Sequence, residues 1–173
     1  MKGAKGDYAA TNDRMQIMTS TFTNRLMQGA LHQYFRFARG MTMGVRAAVF
    51  DADGRVFLVR HTYVPGWYLP GGGVEVGEDA LTSLRRELEE EGHIVLEEPP
   101  RLHGLYFNRR ASRRDHVALY VAHRHRQTAP RAPDREIAAT GYFAPDALPE
   151  DATAATRARL AEILNGAPVS PFW

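Results

Sequence analysis

The 173-residue sequence contains no cysteine. A chain without cysteine forms no disulfide and no zinc site that depends on thiolates, and it fits a reducing compartment such as the cytoplasm. The sequence also lacks any apolar run near the roughly 20 residues that a membrane-spanning helix needs. Residues 1–16 lack the apolar stretch of a secretory signal. We therefore expect a cytoplasmic protein that does not engage a membrane.

Lysine is scarce, and arginine supplies most of the positive charge. The 22 basic and 20 acidic side chains leave a formal net charge of only +2. Binding along a nucleic acid relies on many cationic contacts to phosphate, so this balance argues against a nucleic-acid partner. It is compatible with a site that holds phosphate groups at a few points. The length allows one domain with a sizeable core.

Hydrophobic periodicity divides the chain into an N-terminal extension, a mixed domain and a tail. Helices are predicted over 20–39, 79–91 and 152–164. Strands are predicted over 44–50, 55–61, 102–108, 116–124 and 137–143. The turn signal at 51–54 predicts that the first two strands form a hairpin. The resulting boundaries are 1–40 for the extension, 41–165 for the domain and 166–173 for the tail.

Strands and helices do not alternate strictly, which favours an α/β fold with a mixed sheet and flanking helices. The predicted helix of the extension is a candidate contact for a homodimer. Gly92 is expected to end the helix over 79–91. His123 and His125 are expected to share one face of a strand at the surface.

The helix over 79–91 crowds together four glutamates. At about 100° per residue, Glu87, Glu90 and Glu91 share one arc, whereas Glu89 points away. The neighbouring arc is apolar and should face the core; it contains Ala80, Leu81, Leu84 and Leu88. Like charges on one arc repel each other, but a divalent cation would reverse that repulsion. Hard oxygen ligands suit Mg²⁺ or Mn²⁺.

A solvated helix end is the alternative interpretation of these glutamates. The preceding turn argues against it, because Gly71, Gly72 and Gly73 allow a close approach of backbone to a phosphate. A turn that can meet a phosphate, joined to a helix that can hold a metal, predicts a phosphate-handling site.

The same segment resembles the signature of the Nudix (MutT-like) hydrolases, G-x5-E-x7-R-E-U-x-E-E-x-G-U, where U is aliphatic. The matching positions are Gly72, Glu78, Arg86, Glu87, Leu88, Glu90, Glu91 and Ile94. His93 stands where the last glycine is expected, and Gly92 lies one place early. A register that pairs Glu89 with Glu90 is disfavoured, because Glu89 faces away from Glu87. The resemblance extends over roughly residues 44–150.

The resemblance implies the Nudix fold, an α/β/α sandwich around a mixed β-sheet. It implies a pyrophosphohydrolase that uses Mg²⁺ or Mn²⁺. Its substrate would be a small-molecule nucleoside diphosphate linked to another moiety, such as ADP-ribose or a nucleotide sugar, cleaved by water attack at phosphorus. Carried over by position, the metal ligands and catalytic residues would be Glu87, Glu90 and Glu91, with Glu78 and Arg86 organising the loop and the helix. Either one of these glutamates or Glu136 would deprotonate the water; surface charge is the alternative for Glu136.

Other residues are candidates for substrate contact. Gly71, Gly72, Gly73, Arg109 and Arg110 are predicted to bind phosphate, since arginine forks suit phosphate oxygens. A solvated loop over 109–115, which also holds Arg113 and Arg114, is the alternative. The aromatic residues that could stack on a base, or else belong to the core, are Tyr63, Trp67, Tyr68, Tyr106 and Phe107.

Two further functions stay open. One is an RNA 5′-end pyrophosphohydrolase, which the arginine loop supports and the small net charge disfavours. The other is an inactive Nudix-like regulator that binds nucleotides, which the complete set of glutamates disfavours. The signature itself does not identify the substrate, because it supplies only phosphate and metal chemistry.

Overall fold

The computed structural model describes residues 41–173 and, from the extension, residues 27, 28, 31, 33–35 and 37–40. The described positions from 27 to 38 are helical, within the helix predicted over 20–39, and the rest of that prediction lies outside the described residues. Residues 1–40 and 41–173 form two separate compact units. In the described part of the chain, no helix combines the length and the apolar character needed to traverse a lipid bilayer.

Residues 41–173 contain seven strands and two helices. The strands are β1 (Thr42–Val49), β2 (Val56–His61), β3 (Ile94–Leu96), β4 (Arg101–Phe107), β5 (Asp115–Ala122), β6 (His125–Gln127) and β7 (Ile137–Phe143). The helices are α1 (Ala80–Gly92) and α2 (Ala154–Asn165). β1 pairs parallel with β5, and β5 pairs antiparallel with β4. β2 pairs antiparallel with β7, and β3 with β6. The mixed sheet agrees with the sequence prediction.

The alternation of side chains along the strands produces the three layers. Val45, Ala47 and Val49 pack in one buried cluster with Leu84 and Leu88 of α1. Residues 48 and 50 of the same stretch belong to a second cluster that includes residue 160 of α2. Because successive side chains of a strand point to opposite faces, α1 and α2 cover opposite faces of the sheet. This is the expected α/β/α sandwich.

The hairpin predicted for β1 and β2 forms at its turn but does not extend along the two strands. The Gly54 N–H donates to the carbonyl of Asp51 (3.0 Å), and the Asp51 N–H donates to the carbonyl of Arg55 (3.0 Å). Phe50 and Val56 form an antiparallel bridge next to this turn, whereas β1 pairs with β5 along its length and β2 pairs with β7. A turn signal specifies a local reversal of the chain. It does not select the partner of a strand that is buried on both faces.

The shared face predicted for His123 and His125 is wrong. His123 follows β5 and stacks on Phe50, with ring centroids 5.3 Å apart. His125 opens β6, and its Nε2 lies 2.7 Å from the hydroxyl oxygen of Tyr142. The strands β3 and β6 have three residues each, which is too short for a two-residue period to be visible in the sequence.

The end of α1 corrects the role predicted for Gly92. Gly92 is the last helical residue, and His93 is the C-cap at φ 52. A Cβ at position 92 would lie 2.8 Å from the Phe57 ring, so this glycine permits close packing and not a left-handed turn. His93 therefore adopts the left-handed conformation in which glycine is usual.

Replacing His93 by glycine is expected to stabilise the protein by about 0.5–1 kcal/mol. A left-handed conformation costs a non-glycine residue about 1–2 kcal/mol, and the greater freedom of glycine in the unfolded chain offsets part of this gain. Urea unfolding of the variant and the parent measures the difference. Gly92→Ala, whose Cβ meets the Phe57 ring, should shift stability in the opposite direction. A parent as stable as His93→Gly would contradict the assignment of strain to this residue.

Candidate active site

The helix α1 and the glycine turn line one cavity of about 500 Å³. Glu87, Glu90 and Glu91 all line it, together with Gly71 and Gly72. The Gly71 N–H donates to Glu91 Oε2 at 2.7 Å. A Cβ at position 72 would lie 2.3 Å from Glu87 Oε1, so the backbone approaches that carboxylate closely. The structure therefore brings the three glutamates and the turn to the same cavity.

The glycine turn is attached to β1 by backbone hydrogen bonds. The Val45 N–H donates to the Gly72 carbonyl (2.8 Å), and the Val74 N–H donates to the Met43 carbonyl (2.8 Å). Gly71 has φ 135, and a Cβ there would lie 2.1 Å from the Val45 carbonyl oxygen. Only glycine fits this position, because the approaching atom is backbone and the dihedral is one that other residues rarely adopt.

An ion pair between Arg86 and Glu78 connects α1 to the loop before it. Arg86 Nε lies 3.2 Å from Glu78 Oε1, and Nη2 lies 3.2 Å from Glu78 Oε2. Nη2 also donates to the carbonyl of Gly73 (3.3 Å). These hydrogen bonds, with one from the Ser83 hydroxyl, lower the pKa of Glu78 to about 2. Arg86 thus holds the helix, the loop and the glycine turn in one arrangement.

Burial opposes the negative charge of two of the three glutamates. Glu91 is 8% exposed, and burial raises its pKa to about 7. Burial also raises the pKa of Glu87. Arg86 Nη1 lies 2.9 Å from Glu87 Oε1 and 3.3 Å from Glu90 Oε2, and so offsets part of their charge. The Glu90 side chain is the most open of the three, at 59% exposed.

The glutamates suit a divalent cation by their chemistry. Among the described residues, no three acidic, histidine or cysteine side chains form a ready ligand group. Arg86 contacts Glu87 and Glu90, and Glu91 accepts from Gly71. However, Mg²⁺ commonly takes only one or two carboxylates and completes its shell with water and substrate phosphate. Buried carboxylates with raised pKa values are also the groups whose charge a cation would stabilise.

Several residues of the cavity were missed by the sequence analysis. Arg46 lies in the middle of β1 and donates from Nη1 to the carbonyls of Leu69 (3.3 Å) and Gly71. Arg131 and Arg135 reach the cavity from residues 128–136. For Arg46 a signal existed, because it is a charged residue inside a strand whose neighbours are apolar. The arginines of residues 128–136 carry no such local signal.

The segment 128–136 contributes four residues to the lining of the cavity: Arg131, Asp134, Arg135 and Glu136. Arg131 Nε donates to the carbonyl of Glu90 (2.8 Å), and its Nη2 pairs with Asp134. Asp134 Oδ1 accepts from the backbone N–H groups of Glu136 and Ile137, both at 2.8 Å. The backbone bond from Ile137 is the largest cause of the lowered pKa of Asp134. Asp134 thereby holds Glu136 at the edge of the cavity, which both residues line.

Some predicted contact residues lie elsewhere. Arg109 and Arg110 are exposed beyond β4 and are not among the residues that line the carboxylate cavity; the Arg109 guanidinium lies 4.3 Å from the centre of the Phe172 ring. Of the five aromatic candidates, all in the described region, Tyr63 lines the cavity and is 73% exposed.

The other four aromatic candidates have structural contacts. Trp67 and Tyr106 are buried in the core cluster on the α2 side. The Tyr68 hydroxyl donates to the carbonyl of Pro65 (2.8 Å). Phe107 stacks on His116, with ring centroids 5.3 Å apart.

A sandwich in which a glycine turn and a glutamate helix share one cavity defines a class of phosphate-handling domain. Residues 40–163 match the family model of the NUDIX domain. The match covers more than half of the chain, and the chain therefore belongs to the Nudix family.

Individual relatives agree with this assignment. The MutT NUDIX hydrolase of Burkholderia pseudomallei shares 32% identity at a TM-score of 0.61, over 70% of this chain and 97% of that one. An ADP-ribose pyrophosphatase of Streptococcus suis has a similar fold, at 23% identity and a TM-score of 0.57, over 75% and 96% of the two chains. The RNA pyrophosphohydrolase of Dinoroseobacter shibae is 42% identical over 55 residues, which are 31% of this chain and 34% of that protein. The match thus spans about a third of this curated relative.

Proposed function

We propose that the protein is a metal-dependent pyrophosphohydrolase that cleaves the diphosphate of a nucleoside diphosphate linked to another moiety. One observation carries the proposal: Glu87, Glu90 and Glu91 line the same cavity as Gly71 and Gly72. Membership of the Nudix family supports it. ADP-ribose and nucleotide sugars belong to this substrate class.

The residues of the cavity can bind a cation, orient the phosphates of a substrate and help to activate a water molecule. Glu87, Glu90 and Glu91 would hold Mg²⁺ or Mn²⁺. When bound, the cation supplies neutralisation of phosphate charge and a lowered pKa for water. Three arginines of the cavity suit non-bridging phosphate oxygens, namely Arg46, Arg131 and Arg135. Arg86 keeps Glu87 and Glu90 in place through its hydrogen bonds.

The reaction is a displacement at phosphorus. A water oxygen forms a bond to one phosphorus, and the bond from that phosphorus to the bridging oxygen breaks. A carboxylate of the cavity accepts the water proton, and the bridging oxygen leaves with the second phosphate. The products are a nucleoside monophosphate and a phosphorylated remainder. Glu136, which also lines the cavity, is a further candidate acceptor besides the glutamates of α1.

A polymer substrate is the second candidate. The local match to a relative named RNA pyrophosphohydrolase favours it. The small net charge argues against a long contact with nucleic acid. An inactive regulator is the third candidate, and the presence of all three glutamates argues against it.

A substrate panel tests the proposal. The full chain is incubated with ADP-ribose, UDP-glucose, diadenosine polyphosphate or 5′-triphosphorylated RNA, with Mg²⁺, Mn²⁺ or EDTA, in ¹⁸O-labelled water. We expect a nucleoside monophosphate from a small substrate, one ¹⁸O atom in a product phosphate, and no turnover with EDTA. Turnover of RNA alone would replace the proposal by the second candidate. No turnover of any substrate with either metal would favour the regulator.

Replacing Glu90 by glutamine is expected to lower kcat/KM by about 10²–10³-fold, or about 3–4 kcal/mol of transition-state stabilisation. The change removes one carboxylate charge and keeps the shape of the side chain. Glu89→Gln is the matched control, because Glu89 is an exposed neighbour on the same helix and does not line the cavity. Steady-state kinetics with the best substrate of the panel measure both variants. Equal losses in Glu89→Gln would instead favour the register that pairs Glu89 with Glu90.

A further inference from the structure

A second cavity, of about 620 Å³, is lined by Gly72 and Gly73 of the glycine turn. Arg46 and Gly72 line both this cavity and the carboxylate cavity. A diphosphate bound at Gly72 would therefore contact both cavities, and one of its substituents could occupy the second cavity. Glu87, Glu90 and Glu91 line the carboxylate cavity and not the second one.

The walls of the second cavity are largely apolar. Val74 and Val76 follow the glycine turn, Val117 belongs to β5, and Met43 belongs to β1. Trp173 adds an aromatic ring. A flat, apolar group such as a nucleobase would gain from contact with an indole ring and aliphatic side chains.

One edge of the second cavity is polar and offers hydrogen-bond acceptors. Asp115 Oδ1 accepts from the Thr42 hydroxyl (2.7 Å), and Asp115 Oδ2 accepts from Asn108 Nδ2 (2.8 Å). An ionised carboxylate has about four lone-pair sites, so Asp115 retains capacity for a further donor. The Asn108 amide is fixed with its nitrogen towards Asp115. This edge therefore suits a group that donates hydrogen bonds, and it repels a carbonyl oxygen.

The segment 170–173, which ends with Trp173, lies along β4 and is bonded to it. The Phe107 N–H donates to the carbonyl of Pro171 (2.9 Å), and the Trp173 N–H donates to the carbonyl of Phe107 (3.2 Å). From the sequence, these residues are predicted only as part of a tail. These hydrogen bonds fix the backbone of the segment. The Trp173 indole meets the Tyr106 ring edge-on, with centroids 5.6 Å apart, and the Arg159 guanidinium lies 5.6 Å from its centre. These contacts hold the ring in place where Trp173 lines the second cavity.

A buried ion pair fixes the same segment to α2. Arg159 and Glu162 lie 2.7 Å apart, with both side chains 4% exposed. Arg159 donates to the carbonyl of Phe172 (2.7 Å), and the Ser170 N–H donates to Glu162 (3.0 Å). The partners of this pair hold the segment on both sides of Pro171, which limits the freedom of Trp173.

We propose that the second cavity binds the nucleobase of the substrate, with Trp173 as the stacking surface and Asp115 as the acceptor for an amino or ring N–H group. The preferred bases are adenine, guanine and cytosine, which carry an amino group. Uracil is disfavoured because its ring N–H is flanked by two carbonyl oxygens that face the carboxylate. The inference rests on the proposed function for the identity of the substrate, but the binding itself requires no catalysis.

Binding of nucleoside monophosphates in EDTA tests the proposal independently of turnover. Calorimetric titrations of the full chain use AMP, UMP and ribose 5-phosphate as probes. We expect AMP to bind about 10-fold or more tightly than ribose 5-phosphate, since stacking of one base has an effect of that size. Trp173→Ala should remove this difference, and Trp173→Phe should restore it. Asp115→Asn should reduce the preference for AMP over UMP.

Two controls distinguish an incorrect cavity assignment from a variant that is unfolded or from an incorrect proposed function. Val169→Ala changes an exposed side chain that does not line the cavity and should bind AMP as the parent does. Circular dichroism and thermal unfolding show whether Trp173→Ala and Asp115→Asn are folded. If the folded variants keep the base preference and KM of the parent while hydrolysis proceeds, the cavity assignment fails and the proposed function stands. If base-dependent binding persists without hydrolysis of any substrate, the proposed function fails and the cavity assignment stands.

Discussion

Glu91→Gln is expected to lower kcat/KM by about 10²–10³-fold and, in EDTA, to make the protein more stable at neutral pH. The two effects have one cause. Glu91 is 8% exposed, and its pKa is raised from 4.5 to about 7, chiefly by burial. The folded metal-free protein must therefore either keep this carboxyl protonated or hold a buried charge. Glutamine has neither cost, but it lacks the charge that the proposed reaction uses.

The raised pKa of Glu91 determines whether stability rises or falls with pH. A carboxyl whose pKa is higher in the folded state binds more protons there than in the unfolded chain. Its favourable contribution is complete below pH 4.5 and is lost as the pH rises through about 7. The loss amounts to about 3 kcal/mol, since one pKa unit corresponds to about 1.4 kcal/mol. The charges that face Glu91 include Arg46, which opposes the shift, and Glu87 and Glu90, which increase it.

Urea unfolding in EDTA at pH 5, 6, 7 and 8 measures this dependence. The parent should lose stability across the series, Glu91→Gln should lose much less, and Glu89→Gln should follow the parent. Added Mg²⁺ should restore the parent at pH 8 and leave Glu91→Gln largely unchanged, because a ligand of the native state stabilises it by mass action. Parallel curves for the parent and Glu91→Gln would show that this carboxylate carries no electrostatic cost. His61, 3.6 Å from Glu91, has its own pKa lowered, chiefly by burial, and is present in the parent and in both variants.

The parts of the site that sequence could predict are those that lie close together along the chain. Helical spacing placed Glu87, Glu90 and Glu91 on one arc and Glu89 on another, because the geometry of a helix depends on neighbouring residues alone. The spacing of Gly72 from this helix is likewise local. The structure places all three glutamates beside the turn, as the arcs indicated.

The parts that sequence could not predict depend on contacts between distant segments. Arg46 lies 41 residues before Glu87, and Arg131 lies 41 residues after Glu90. Their arrival at the cavity requires the parallel pairing of β1 with β5 and the path of residues 128–136, neither of which leaves a periodic signal. The same reason explains the limited extent of the hairpin, since the turn at 51–54 is local and the choice of strand partner is not.

The glycine turn connects the two cavities, and its three glycines are not equivalent. Gly71 is fixed between β1 and Glu91, Gly72 lies against the Glu87 carboxylate, and a Cβ at Gly73 would meet no heavy atom within 4 Å. Substitution by alanine therefore adds the same methyl group to three different environments. Comparing the three variants therefore separates the effect of backbone strain at Gly71 from the effect of displacing the Glu87 carboxylate at Gly72.

Gly71→Ala is expected to destabilise the protein by about 3 kcal/mol or more, or to prevent folding. Its Cβ would lie 2.1 Å from the Val45 carbonyl oxygen and 2.9 Å from the Arg46 Cα, and φ 135 is itself unfavourable for alanine. The backbone bonds between the turn and β1 leave little room for adjustment. Any shift that relieves the contact also moves the N–H that Glu91 accepts.

Gly72→Ala and Gly73→Ala complete the test. Gly72→Ala should retain most of its stability, since the obstructing atoms belong to the movable end of Glu87, but should lose most of its activity because that carboxylate is displaced. Gly73, predicted to bind phosphate, lines the second cavity and not the carboxylate cavity, so Gly73→Ala should stay within about 1 kcal/mol of the parent and keep its kcat. Urea unfolding and steady-state kinetics measure all three variants. A Gly71→Ala protein as stable as Gly73→Ala would show that the turn can leave β1, and the shared wall of the two cavities would then be movable and not fixed.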